Sequence, residues 1–310
     1  MTNHVAVEQA WKGLAPKQKR GFLALADNAT IKDGKVYNAE GNDVTHIAEL
    51  TPRITERQAW GIKVTGELAD HEAENGGFIV AFFEQAKTMG ERFPELKQED
   101  LARLMFIGTY IAWETNRLQY DNGRIVNKAG LEKLIGMSNK RFKEFYKRLI
   151  AEDILSERDD AIFVNPSVFY RGEMKRIGYD VSHLQHTRLF RKTVRDLYEM
   201  FNGRTIRQLG IIYSILPFLN FNSNIVCFNP EETDPDLLKP MHLEKLAALL
   251  GYQDTHKLKR ALEAIKVEGK PVFWLPQNVH DKRQRRIVVN PNVVYGGNAE
   301  SLAAIKVLFN

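Results

Sequence analysis

The stretch AIFVNPSVFYRG, from Ala161 to Gly172, returns near the C-terminus as RIVVNPNVVYGG, from Arg286 to Gly297. Each version is a short apolar strand, an Asn-Pro pair and an aromatic-to-glycine ending. Proline restricts the asparagine before it to extended geometry and ends ladder pairing, so Asn165-Pro166 and Asn290-Pro291 read as structural stops rather than contact residues.

Reading outward from the first copy, NKAGLEKLIGMSNKRFKEFYKRLIAEDIL holds a short apolar helix around Leu131, Leu134 and Ile135, then a turn at Gly136. Ser138 or Asn139 caps a second helix whose Phe142, Phe145, Tyr146, Leu149 and Ile150 lie three and four apart. The second copy, MHLEKLAALLGYQDTHKLKRALEAIKV, repeats the plan with Leu246, Leu249, Leu250, Gly251, the cap Asp254, and Leu258, Ala261, Leu262 and Ile265. Gly136 to Gly251 is an offset of 115 (251 − 136), and Asn165 to Asn290 one of 125 (290 − 165). Ten residues are therefore added, and the reading places them in the second hairpin, whose strands Val272–Leu275 and Arg286–Val289 flank an arm containing Asp281 to Arg285. An apolar helix precedes each copy, with Leu104 and Leu209 in register.

Helix, connector, helix, turn, helix and hairpin is the order of a winged helix-turn-helix. The expected fold is mainly α with small β-hairpins: tandem winged helix-turn-helix domains plus an N-terminal helical region. Residues 1–100 form an accessory region, 101–176 the first winged domain, 177–203 a linker helix, 204–297 the second winged domain and 298–310 a docking helix. The linker helix is read from DVSHLQHTRLFRKTVRDLYEMFNG, and helices are also read in TERQAWGIKVTGELADHEAE and GGFIVAFFEQAKTMG, with a small hairpin around Val36–Tyr37 and Val44–Ile47.

The second helix of such a pair enters the major groove. The first copy offers Asn139, Lys140, Arg141, Lys143, Glu144, Lys147 and Arg148 there; the second offers Thr255, His256, Lys257, Lys259 and Arg260, with Lys282, Arg283, Arg285 and Arg286 in its hairpin arm. Charge agrees. Residues 1–100 carry 12 Lys or Arg against 16 Asp or Glu, a net of −4, whereas residues 101–310 carry 32 against 23, a net of +9. A solvated surface explains any one of these side chains as well as a phosphate contact does.

LEKLIGMSNKRFKEFYKRL (Leu131–Leu149) and IFVNPSVFYRG (Ile162–Gly172) resemble the MarR-like winged-helix replication proteins of Firmicute plasmids and phages, and the tandem arrangement resembles theta-plasmid initiators. The resemblance implies origin DNA binding, self-association as a homodimer and host replication proteins as partners. It leaves open a transcriptional regulator at an operator, or an adaptor whose winged domains bind protein.

Other chemistry is read as absent. Gly269-Lys270 lacks the glycine spacing of a phosphate loop, the lone Cys227 reads as a buried small hydrophobe, and His183 and His186 lack a third ligand. The chain is expected to be no enzyme, to need no metal or cofactor, and, with no apolar run long enough for a bilayer and no secretory leader, to be cytoplasmic.

Overall fold

A computed structural model of the chain describes residues 11–33, 35–45, 66–85, 87–201, 205–275 and 286–309. The chain divides into two compact units, Met1–Thr65 and Gly66–Asn310. In the first, helix α1 (Pro16–Asn28) begins with proline at a position whose N–H needs no partner. Strands β1 (Thr30–Lys32) and β2 (Lys35–Tyr37) pair as a hairpin, and on its other edge β2 meets the Val44 region through a bridge between Tyr37 and Asp43 and a bond from the Val44 amide to the Val36 carbonyl at 2.8 Å. Asp43 is held at about 2 by the Thr45 hydroxyl and amide and by Lys35. Residues 46 and 47 of the expected hairpin lie outside the described residues.

The second unit opens with helix α2 (residues 66–74) and strand β3 (Phe78–Phe83). Helices α3 (Met89–Arg92), α4 (Gln98–Gly108), α5 (Lys128–Ile135) and α6 (Asn139–Ala151) follow, then strands β4 (Leu155–Arg158), β5 (Ala161–Val164) and β6 (Phe169–Tyr170). Strand β7 (Gln185–Phe190) leads into α7 (Arg191–Met200), α8 (Ile206–Ser214), α9 (Leu243–Leu249) and α10 (Thr255–Ala264). Short strands β8 (Lys266–Val267), β9 (Lys270–Pro271), β10 (Phe273–Trp274), β11 (Val288–Val289) and β12 (Val294–Tyr295) precede a C-terminal helix α11 (Ala299–Lys306), capped by the Asn298 side chain at 3.0 Å from the Ser301 amide.

This corrects the expected fold class. The chain is mixed α/β, with 43% helix and 19% strand, and its centre is a four-stranded antiparallel sheet in the order β12-β7-β3-β6. Tandem, mainly helical winged domains do not describe it. The difference lies at the two central strands, β3 and β7, where a helix is expected from sequence. In β3 the period of two is hidden because both faces are covered: Ile79, Ala81 and Phe83 face the main core, while Val80 and Phe82 pack with Tyr170 and Leu184. In β7 the buried Thr187 and Leu189 alternate with exposed His186 and half-buried Arg188, and a helix begins only at Arg191. The expected linker helix is therefore a strand followed by a ten-residue helix. Of the helix read across 55–74, residues 66–74 are helical and the rest lies outside the described residues.

The repeat survives the correction, and it is longer than the sequence suggested. In the first copy Leu118 donates its amide to Ile162, Val164 to Asn116, Ile154 to Leu149 and Asn165 to Ile154; in the second the same bonds join Val226 to Ile287, Val289 to Asn224, Val272 to Ile265 and Asn290 to Val272. Asn116 and Asn224 both sit at φ 53. The Asn116 amide donates to the carbonyls of Val164 and Phe169 at 2.9 and 2.8 Å, and that of Asn224 to Val289 and Val294 at 3.1 and 2.7 Å. These pairs set an offset of 108 up to Leu118 (226 − 118), which aligns Leu209 with Leu101 rather than Leu104. The residues added beyond Gly136 are shared among the helix turn, the β8–β9 region and the hairpin.

One core runs through both copies, from Ile79 to Val294. Helices α4 and α8 lie so close that a Cβ on Gly210 would strike the Gln98 carbonyl. Arg191 and Arg195 of the second copy each donate to the Thr109 carbonyl at 2.8 Å, at the C-terminal end of α4 where positive charge is favoured. The copies are thus welded rather than linked.

Candidate nucleic-acid interface

Each copy holds a pair of helices joined by a glycine turn. In the first, the Asn127 side chain accepts from the Gly130 amide at 3.0 Å and so starts α5; Gly136, at φ 70, ends it. The second uses Gly251, also at φ 70, between α9 and α10, and Asp254 caps α10 by accepting from the His256 amide at 2.8 Å.

The α6 stripe of Phe142, Phe145, Tyr146 and Leu149 is buried, and that burial turns Lys140, Arg141, Lys143, Glu144 and Lys147 to solvent. Tyr146 ties the hairpin to the helix: its hydroxyl donates to Glu157 of β4 at 2.5 Å, and Lys128 of α5 lies 4.3 Å from its ring. Burial and then the Glu157 carboxylate push the Tyr146 hydroxyl well above the usual tyrosine range. Asn139 is exposed but occupied, donating to both carboxylate oxygens of Glu132 at 2.9 and 3.2 Å. Arg148 turns inward. It pairs at 2.8 Å with Asp100, which is 1% exposed and also bound by Arg103.

On α10, Leu258, Ala261 and Leu262 are buried, leaving His256, Lys257, Lys259 and Arg260 exposed and Thr255 half-buried. Lys259 pairs loosely with Glu263 at 3.7 Å. Arg286 is half-buried at the start of the return strand, while Lys282, Arg283 and Arg285 lie outside the described residues.

The first hairpin closes through Asp159 and Asp160, both at positive φ, and exposes Arg158 over the Phe163 ring at 4.8 Å. Sequence reading assigned no charge to this tip. The signal was present in the consecutive Arg-Asp-Asp between two strands. The Asn-Pro pairs hold turns: Asn165 accepts from the Ser167 amide at 3.0 Å and Asn290 from the Asn292 amide at 2.9 Å.

His183 and His186 do not share a helix face, since His186 is on β7 and His183 precedes it. Among the described residues no group of three or more His, Cys, Asp or Glu is placed to hold a metal, and no helix is long and apolar enough to cross a membrane. Cys227 is buried, and burial pushes its thiol up to about 11. Comparison with known families, characterised proteins and solved structures finds no match to this chain.

Proposed function

We propose that the protein binds duplex DNA sequence-specifically through α6 and α10, acting at a replication origin. The observation that carries this reading is the recurrence, on one scaffold, of a second helix whose buried stripe leaves Lys140, Arg141, Lys143 and Lys147 outward in one copy and His256, Lys257, Lys259 and Arg260 in the other. A helix of this size fits the major groove, and its basic flank meets phosphates on either side. Origin binding, as opposed to operator binding by a regulator, rests on the resemblance of Leu131–Leu149 and Ile162–Gly172 to plasmid and phage replication proteins.

The test is selection from randomised duplex DNA, followed by binding at several salt concentrations. An enriched motif and a steep loss of affinity with salt are expected. Replacing Lys140, Arg141, Lys143 and Lys147 with alanine should lower the salt slope by about 3 to 4, since each neutralised phosphate contributes about 0.9. A protein that enriches no sequence, or whose slope is unmoved by the four substitutions, does not read DNA through α6. Loss of replication on deleting the gene from a minimal replicon would support the origin role, and unimpaired replication with altered promoter output would point to regulation.

A further inference from the structure

Three arginines from distant parts of the sequence converge beyond the C-terminal end of α4. Arg191 and Arg195 lie one turn apart on α7, and both donate to the Thr109 carbonyl at 2.8 Å. Arg171 follows β6 and donates to the Ile111 carbonyl at 3.2 Å. The carboxylate that pairs with the cluster is that of Asp121, 3.0 Å from Arg191 and 2.6 Å from Arg195. Glu114, on the same segment as Ile111, is taken by Arg176 at 3.3 Å, and among the described residues Arg171 has no ion pair. Three cations against one carboxylate leave two positive charges unmatched.

The arginines act on one another. Burial and then Arg195 hold the Arg171 guanidinium below its ordinary value, and burial, Arg171 and Arg195 do the same to Arg191. A guanidinium does not give up its proton in a protein, so an anion, rather than deprotonation, relieves this repulsion. The scaffold does not require the set. At the offset of 108, the second copy has Pro217, Phe218, Phe221 and Asn229 where the first has Thr109, Tyr110, Trp113 and Asp121. There Asn229 holds its turn with uncharged bonds, to the Leu237 carbonyl at 3.1 Å and from the Lys239 amide at 2.8 Å.

Asp121 is the part of the cluster that can leave. Its side chain is 65% exposed, and among the described residues its carboxylate bonds only to the two arginines. Phosphate suits the same guanidinium fork that a carboxylate does. Aromatic rings flank the position: Arg195 lies 3.9 Å from the centre of the Tyr110 ring, and Arg171 6.0 Å from that of Trp113, which is 58% exposed. An exposed indole beside a phosphate position offers a face on which a planar base stacks. Charge chooses among phosphates. A monoester carries about −1.5 to −2 near neutral pH and matches the surplus, whereas each diester along a strand carries one charge.

We propose that Arg171, Arg191 and Arg195 form a site for the phosphate of a free mononucleotide, which displaces the Asp121 carboxylate while its base lies on Trp113. The site uses none of the α6 or α10 residues assigned to DNA, and it stands or falls separately from that reading.

The test is isothermal titration of the full chain with AMP, inorganic phosphate and adenosine. AMP should bind at one per chain, phosphate more weakly and adenosine not at all. Asp121→Asn removes the competing carboxylate and should tighten AMP binding about tenfold, a gain that no loss of folding imitates; Arg171→Gln should weaken it by about tenfold or more. Trp113→Ala should weaken AMP about tenfold and leave inorganic phosphate unchanged. The proposal is overturned if neither the wild-type chain nor Asp121→Asn binds AMP, if Asp121→Asn binds it no more tightly, or if adenosine binds as well as AMP. An unphosphorylated dinucleotide that displaces AMP at equal concentration would reveal a track for strands instead, and Trp113→Ala without effect on AMP would remove the nucleotide from the assignment.

Discussion

The two copies are alike in the buried bonds that hold their turns and unlike where they face solvent. Asn116 and Asn224 make the same pair of bonds at the same φ of 53, and Tyr170 and Tyr295 both reach forward three residues to a carbonyl, that of Glu173 at 3.3 Å and of Asn298 at 2.5 Å. At the exposed end the first hairpin closes through two aspartates, whereas the sequence between Leu275 and Arg286 in the second includes Lys282, Arg283 and Arg285. A buried amide that must satisfy two carbonyls allows few substitutions, while a hairpin tip in water tolerates insertion and reversal of charge. The comparison therefore separates what builds the scaffold from what addresses a partner. An acidic tip in the first copy would repel phosphate, so the DNA binding proposed above assigns the contacts of the first copy to its helix.

The largest test of this division lies at the contact between copies. Gly210 and Ala102 occupy equivalent positions at the offset of 108, and a Cβ on the glycine would lie 2.0 Å from the Gln98 carbonyl oxygen. Gly210→Ala should cost more than about 3 kcal/mol, because the clash cannot be relieved by a side-chain rotation. Ala102→Gly in the first copy, where the methyl is fully buried, should cost about 2 kcal/mol, the helix-propensity difference together with the lost methyl. Urea denaturation measures both, and equal losses would show that α4 and α8 do not approach as described.

Next come Asn116→Ala and Asn224→Ala. Each removes two buried bonds and forces alanine into a left-handed conformation, at about 2 to 3 kcal/mol. If the copies are equivalent inside, the two losses agree to within about 1 kcal/mol. A loss confined to one copy breaks the comparison.

These asparagines also mark the limit of what the sequence disclosed. The helix pairs were legible because Phe142, Phe145, Tyr146 and Leu149, and their counterparts from Leu258 to Ile265, carry a three-and-four spacing that needs no tertiary knowledge. The central strands were not. β3 is apolar throughout because both of its faces are covered. β7 runs straight into a helix whose Val194, Leu197 and C-cap Phe201, with Phe190 at the end of the strand, lie four, three and four apart and draw the strand into the same helical reading. Nothing local says that Arg148 leaves the basic face to meet Asp100, 48 residues away. The candidate surface was therefore visible as a set of exposed charges, but the sheet that orients its two halves was not.

Arg148 gives the third test. Arg148→Ala leaves Asp100 buried with Arg103 and the Lys97 amide as partners, and should cost about 2 kcal/mol of stability while leaving the salt slope for DNA unchanged. Its neighbour Lys147, exposed on the same helix, should behave in reverse: Lys147→Ala changes stability by less than about 0.5 kcal/mol and lowers the slope by about 0.9. A fall in slope for Arg148→Ala would place it among the contacts.

The smallest effect concerns how the two Asn-Pro turns are braced. In the first copy the Arg92 guanidinium donates to the Ser167 carbonyl at 2.7 Å. In the second, His71 of α2 lies with Nε2 3.0 Å from the Pro291 carbonyl, so this nitrogen carries the proton and donates. Burial lowers the affinity of His71 for a second proton, reinforced by Lys306 and opposed by the Pro291 bond and Glu74. A histidine held below its ordinary value of 6.5 stabilises the fold fully above that pH, and the contribution is lost as pH falls through the lower folded value. Glu72, raised by burial despite Arg188, acts in the opposite sense. The His71→Gln variant isolates the histidine by difference. Hydrogen exchange should show the amides from Asn292 to Tyr295 losing protection by a few-fold more than those from Ser167 to Tyr170 as the solution is acidified from pH 7.5 to 5.5, after correction for intrinsic rates. His71→Gln should erase that contrast. If both turns loosen together in the wild-type protein, the difference in bracing has no consequence, and the copies are equivalent in this respect as well.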